Sequence, residues 1–131
     1  MRERHGPVLE EVIMGLYQHG VPLIAGTDAG TDNCPHAGYV SGLEALAEAG
    51  LPAREVLEAA TLRAARALGV EDRTGSIAPG KDADLIAIRG DPLRDVSALH
   101  RIELVVTRGR QFIPAPPVSG PSRAASPARR R

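Results

Sequence analysis

The first pattern along the chain is helical, because apolar residues within 7–19 recur at intervals of three and four. These apolar positions are Leu9, Val12, Ile13, Leu16 and Tyr17. Gly20 follows, and glycine is the residue that most often ends a helix. We therefore predict a helix over residues 7–19 that stops at Gly20.

Residues 21–27 read VPLIAGT, a continuous apolar run without alternation. Such a run is typical of a strand buried on both faces. It ends at Asp28, which lies between Gly26 and Gly30. Catalytic groups gather at the carboxyl ends of barrel strands, so Asp28 is a candidate functional residue. The structural alternative is an Asx-turn, in which Asp28 only bonds its own backbone.

Two further helices are predicted before the pattern changes. Ser41-Gly-Leu-Glu44 is a capping box that opens a helix to residue 49, and Gly50 ends it. Pro52 suits the first position of an alanine-rich helix that runs to residue 68. After Gly69 the pattern favours strands over 84–88, 102–107 and 111–113, separated by Gly and Pro turns.

The composition and the charge distribution restrict the class of protein that this chain can be. The chain has 131 residues, 43% of them hydrophobic, which fits about one domain. Four of the 16 basic residues are arginines of residues 114–131, leaving 12 basic and 16 acidic residues in 1–113. This acidic body excludes a nucleic-acid surface by charge. Cys34 is the single cysteine and no apolar run is long enough for a membrane helix, so we expect a soluble, cytoplasmic protein.

The ordered motifs carry a resemblance to a known family. They are Gly26-Thr-Asp-Ala-Gly30, His36, Gly50-Leu-Pro-Ala-Arg-Glu-Val-Leu-Glu-Ala-Ala-Thr61, Ala64-Ala-Arg-Ala-Leu-Gly69, Gly75-Ser-Ile-Ala-Pro-Gly-Lys-Asp-Ala-Asp-Leu85, Asp91-Pro-Leu93 and a valine-rich strand that closes at Gly109. This order resembles the C-terminal portion of metal-dependent amidohydrolases, especially the branch of imidazolonepropionases and prolidase-like dipeptidases.

The resemblance implies an α/β fold, the terminal fragment of a (β/α)8 TIM-like barrel followed by part of a small composite β-sandwich. Residues 1–69 would be the last βα portion of the barrel, with residues 21–27 as its eighth strand. Residues 70–113 would be the sandwich segment. Independently of the resemblance, the Pro, Ser, Ala and Arg composition of residues 114–131 predicts a disordered basic tail.

The resemblance also implies a chemistry. Asp28 matches the aspartate that binds the divalent metal, usually one or two zinc ions, and acts in catalysis. Metal-activated water would then hydrolyse the C–N bond of a small amide, cyclic amide or dipeptide. His36 would bind substrate, and the alternative is a solvated loop histidine.

The chain departs from the family pattern in its metal ligands. It has no His-x-His pair, and Lys81 is its only lysine, in a turn from which we expect it to project into solvent. Since catalytic zinc needs about three protein ligands, we expect the isolated chain to bind no metal and to be inactive. Its partner would then be a second copy or a complementary N-terminal half. The alternative is a non-catalytic remnant or an interaction module that docks on a partner chain.

Two other clusters favour structural interpretations. Cys34 and His36 are near in sequence, but catalytic Cys–His pairs meet in space rather than through adjacency. The acidic series Asp82, Asp84, Asp91 and Asp95 lacks the spacing of a calcium loop. We therefore expect turn and strand-end roles for these aspartates.

Overall fold

The computed structural model describes residues 7–30 and 38–114. Within these ranges lie four α-helices, one 3₁₀ helix and three strands. In chain order they are α1 (Pro7–Gln18), α2 (Tyr39–Glu48), α3 (Ala53–Ala60), α4 (Leu62–Ala67), β1 (Leu85–Ile88), the 3₁₀ helix Val96–His100, β2 (Ile102–Thr107) and β3 (Arg110–Phe112).

Helix α1 ends at Gln18, one residue before the predicted end, and Gly20 follows with a φ of 72°. The amide of Val21 donates to the carbonyl of Leu16, and the amide of Gly20 donates to that of Tyr17. These two bonds close the helix in the manner of a Schellman motif, which needs the left-handed conformation that glycine adopts freely.

Residues 21–27 do not form the predicted strand and have no regular secondary structure, although burial alternates along residues 23–27 as it does in an extended chain. Leu23 and Ala25 pack partly buried against the core, while Pro22 and Ile24 are exposed. The amide of Ala25 donates to the carbonyl of Ala59 at 3.0 Å. A strand is defined by a neighbouring strand, and no segment of the described residues forms a ladder with this one. We call residues 21–27 the extended segment.

The helix boundaries near Ser41 and Thr61 differ from the prediction. Helix α2 begins at Tyr39 with Gly38 as its N-cap, so Ser41 lies inside the helix and its capping box is not formed. The predicted long helix is broken at Thr61, whose φ and ψ are −131° and −95°. The Thr61 hydroxyl donates to the Leu57 carbonyl at 2.6 Å, and this competing bond accompanies the break between α3 and α4.

The three strands form an antiparallel sheet in the order β1-β2-β3. Strand β2 has the predicted bounds, and β1 and β3 differ from prediction by one residue at their ends. Ile86 pairs with Val105, and Val105 pairs with Phe112, which places one apolar row across the sheet. A bulge between Ala87 and Ile88 shifts the register at the end of β1.

The buried core joins the helices to the C-terminal part of the chain. Its cluster consists of Leu43, Leu51, Val56, Val96 and Leu99. Ile88 packs against this cluster from β1, and the Nε2 atom of His100 lies 3.1 Å from the Glu44 carboxylate of α2. Residues of both predicted units, 1–69 and 70–113, therefore share one core; the division itself stays a prediction, and residues 115–131 lie outside the described part.

Candidate functional site

Asp28 lies at the end of the extended segment, where the sequence places the candidate catalytic group. Its φ is 49°, in the left-handed region that aspartate enters more readily than most residues. The amide of Ala29 donates to the Thr27 hydroxyl at 3.1 Å, so the threonine side chain closes the turn around Asp28. Gly30, with a φ of 100°, continues the reversal. These contacts hold Asp28 at an exposed tip beyond the segment's end.

Asp28 lines neither of two depressions on the described surface. The first, of about 270 Å³, lies near the opposite end of the extended segment. It is lined by Tyr17, Gly20, Val21, Pro22, Glu55 and Arg63. The second lies between α2 and the 3₁₀ helix, with Glu44, Arg94 and Asp95 in its lining. Asp28 is thus set apart from both.

Of the residues that follow Asp28 in the sequence, only some lie in the part of the chain that the structure describes. His36 and Cys34 lie outside the described residues. Tyr39 lies three residues after His36. It is the first residue of α2, and its side chain packs half-buried against the core. Burial raises the pKa of Tyr39, because the phenolate would lose hydration there. Tyr39 is therefore a neutral hydrogen-bonding group at neutral pH.

The described residues do not fit a metal site. No group of three or more His, Cys, Asp or Glu side chains comes together in residues 7–30 and 38–114. Asp28 supplies one carboxylate, whereas catalytic zinc takes about three protein ligands. Any further ligands would come from outside these described ranges.

The acidic series has the structural roles that the sequence predicts. The Asp91 carboxylate accepts from the Leu93 amide at 3.0 Å, in an Asx-turn. Asp95 caps the 3₁₀ helix by accepting from the Ser97 amide and hydroxyl. Asp84 accepts from the Arg108 amide at 2.9 Å and from the Thr74 hydroxyl at 3.1 Å. It thereby ties the start of β1 to the turn between β2 and β3.

These hydrogen bonds lower two pKa values. The pKa of Asp84 lies below its ordinary value, first because the Arg108 amide donates to the carboxylate, and then because of Thr74. The pKa of Asp95 is lowered by the Ser97 hydroxyl and amide. Both carboxylates are stabilised in the charged form, so neither is suited to act as a general acid near neutral pH.

The expectation that Lys81 projects into solvent is wrong. Its ammonium donates to the Glu71 carbonyl and, at 2.7 Å, to the Ser76 hydroxyl. A flexible ammonium can reach back across its own loop and satisfy carbonyl groups there. Lys81 therefore closes the loop over residues 71–81 as a structural group.

A charged cluster that sequence reasoning missed lies beside the first depression. Arg63 of α4 pairs with Glu55 and, at 3.1 Å, with Glu58, both of α3. The Arg63 and Glu55 side chains are only 23% and 21% exposed. Hydrogen bonding to Glu55 is the main cause of the raised pKa of Arg63. The cluster joins α3 to α4 across the break at Thr61. The prediction of one continuous helix gave no reason to expect ion pairs between two separate helices here.

The sequence of this chain is similar to those of known proteins. Residues 6–112 match the amidohydrolase family, which is most of the chain. The chain is 33% identical over 118 residues to a 5-methylthioadenosine/S-adenosylhomocysteine deaminase of Teredinibacter turnerae, covering 75% of this chain and 27% of that protein. It is 29% identical over 97 residues to an imidazolonepropionase of Thermoplasma acidophilum, covering 72% of this chain and 24% of that protein.

A solved structure shares the backbone arrangement. A crystal structure of a Xaa-Pro dipeptidase with bound methionine superposes with a TM-score of 0.76 at 34% identity, over 82% of this chain and 26% of that one. The fold and the motifs together define an amidohydrolase segment. The chain belongs to the amidohydrolase family, and it spans about a quarter of the length of these relatives.

The described helices bear on whether this part of the chain can cross a membrane. Among the helices of residues 7–30 and 38–114, none combines the length and apolarity that crossing a bilayer requires.

Proposed function

We propose that this chain supplies the Asp28 carboxylate to the active site of an amidohydrolase that hydrolyses C–N bonds of small amides, cyclic amides or dipeptides. The observation that carries the proposal is the position of Asp28, exposed in a left-handed turn at the end of the extended segment, inside the region that matches the family. The extended segment would be the eighth barrel strand, and the β1-β2-β3 sheet part of the composite sandwich.

Asp28 would move a proton during hydrolysis. Water adds its oxygen to the amide carbonyl carbon, and the carboxylate takes the proton that water loses. The same proton then passes to the leaving nitrogen as the C–N bond breaks, which leaves an acid and an amine. A turn that fixes the Asp28 backbone restricts where the carboxylate can lie, which lowers the entropy cost of this transfer.

Divalent metal, with zinc as the usual choice, would belong to the assembled enzyme rather than to this chain alone. Asp28 is the one ligand that we propose among the described residues, so we assign no step to a metal. Accordingly the isolated chain is proposed to be inactive. His36 keeps its proposed role in substrate binding.

A chimaeric enzyme tests the proposal. Residues 7–113 would replace the matched quarter of the Xaa-Pro dipeptidase, and hydrolysis of a proline dipeptide would be measured. We expect turnover that Asp28→Asn reduces by about a thousandfold or more, as for loss of an essential proton carrier. Asp91→Asn is the matched control, because asparagine can keep the Asx-turn. Equal turnover in the two variants would contradict the proposed role of Asp28.

A further inference from the structure

The turn that carries Asp28 is closed by the side chain of the residue before it. The amide of Ala29 donates to the Oγ1 atom of Thr27 at 3.1 Å. This contact is an ST-turn, in which a hydroxyl oxygen accepts from the backbone amide two residues further along the chain. The ring of atoms that the bond closes contains the N, Cα and C atoms of Asp28. The bond therefore restricts both backbone angles of Asp28.

Asp28 adopts a backbone conformation that benefits from such a restriction. Its φ is 49°, in the left-handed region that is unfavourable for residues with a Cβ atom. Aspartate enters this region more readily than most residues, but it also populates right-handed and extended conformations. Because the direction of the Cα–Cβ bond follows from the backbone angles, the place of the carboxylate depends on whether the left-handed conformation is kept.

The hydrogen bond lies on the shielded side of this turn. Thr27 and Ala29 are half-buried, whereas Asp28 and Gly30 are exposed. Water competes less for the Ala29 amide there than it would at a fully exposed tip, so the bond contributes more to holding the turn. Loss of the Thr27 hydroxyl would leave a half-buried amide without this acceptor.

We propose that Thr27 is a positioning residue for Asp28: its hydroxyl oxygen holds the left-handed turn, and the turn directs the carboxylate toward the proton that it transfers. This role rests on the proposed function of Asp28. Thr27 acts through the backbone of Asp28 and takes no part in the proton transfer itself. Misplacing a reacting group by about 1 Å can lower turnover by about a hundredfold, while substrate binding need not change.

The acceptor atom of Thr27, rather than the shape of its side chain, carries this role. Valine has nearly the shape of threonine, but a methyl group replaces the hydroxyl and cannot accept a hydrogen bond. Serine keeps the hydroxyl and lacks the methyl group. Thr27→Val and Thr27→Ser therefore separate the hydrogen bond from the packing of this residue.

Hydrogen exchange of the Ala29 amide in the full 131-residue chain, followed by NMR, tests the bond without any catalysis. We expect exchange about tenfold faster in Thr27→Val, and within about twofold of the unchanged chain in Thr27→Ser. Thr74→Val is the matched control. It removes a different hydroxyl, which donates to Asp84 at 3.1 Å, and should leave the exchange of the Ala29 amide unchanged.

The kinetics of the dipeptidase chimaera test the consequence for Asp28. Thr27→Val should lower kcat by about tenfold to a hundredfold and change KM by less than about threefold. Thr27→Ser should keep kcat within about threefold of the unchanged chimaera. Thr74→Val should lower the melting temperature without lowering kcat, because its hydrogen bond is structural. A merely structural role of Thr27 would likewise move the melting temperature and not kcat.

Two results would overturn the inference. One is Ala29 exchange, or chimaera kcat, that is the same in Thr27→Val as in the unchanged protein. The other is a Thr27→Ser variant that loses as much as Thr27→Val. Full turnover in the Asp28→Asn chimaera would instead contradict the proposed function, and the exchange of the Ala29 amide would still show whether Thr27 holds the turn.

Discussion

A methyl group at Gly75 would lie 2.5 Å from the Cβ atom of Ala65, closer than two carbon atoms can approach. Gly75 has a φ of 85°, and its α-carbon packs against α4 near Leu62 and Thr61. The first glycine of the Gly75–Lys81 motif is therefore where the loop meets the helices. It holds the loop that leads into β1 against the alanine-rich helix.

Gly75→Ala should destabilise the chain by about 2–4 kcal/mol, because it combines an overpacked contact with a left-handed conformation. Urea unfolding followed by circular dichroism measures this free energy. Gly80→Ala is the control: its φ is 88°, but no atom lies within 4 Å of the added methyl group. The control should cost about 1 kcal/mol, and an equal loss in both variants would show that the contact with Ala65 does not matter.

Arg63→Ala should lower the free energy of unfolding by about 1–2 kcal/mol, since Glu55 and Glu58 would lose their shared cation in a partly buried place. Arg54, 74% exposed and 3.9 Å from Glu58, is the matched control. Arg54→Ala should change the free energy by less than about 0.5 kcal/mol. Equal unfolding midpoints for the two variants would contradict the proposed bracing of α3 and α4.

Asp84 should make stability depend on acid pH. Because its folded pKa is lowered, it contributes stability above the pKa of the unfolded aspartate, near pH 4, and loses that contribution as the pH falls through the lower folded value. Urea midpoints measured from about pH 6 down to about pH 2 should fall less for Asp84→Asn than for the unchanged chain across this window. Asp72→Asn, an exposed aspartate, is the control and should follow the unchanged chain. Parallel curves for Asp84→Asn and the unchanged chain would be inconsistent with the hydrogen bonds to Arg108 and Thr74.

The isolated chain should retain far less than one zinc per molecule after dialysis, because its described residues do not form a ligand set. Asp28→Asn should leave this low metal content unchanged. Metal analysis by mass spectrometry makes the comparison. Stoichiometric zinc that Asp28→Asn removes would mean that the chain completes a metal site by itself.

The sequence predicted those parts of the fold that depend on residues close together in the chain. Gly20 ends α1 because the last turn of a helix needs a left-handed residue there, and the valine-rich run of β2 has the predicted bounds. The break at Thr61 was not predictable from periodicity, and in the structure it is accompanied by a hydrogen bond from the Thr61 hydroxyl to the Leu57 carbonyl. Ser41 was misassigned because α2 starts two residues earlier, at Tyr39.

The sequence predicts one candidate site residue among the described residues, Asp28, and its catalytic role stays a prediction. The glycines around Asp28 indicate a turn at the end of an extended run, and the structure has that turn. The strand character of residues 21–27 depends on neighbouring strands, which no pattern within the run can supply. Lys81 shows the same limit, since its carbonyl partner Glu71 lies ten residues away across a loop.

The turnover number of the dipeptidase chimaera, compared with that of its Asp28→Asn variant at saturating substrate, tests the central claim most directly. The account predicts a loss of about a thousandfold or more with the fold retained. Turnover in the variant within about twofold of the unchanged chimaera would place the chemistry on other residues.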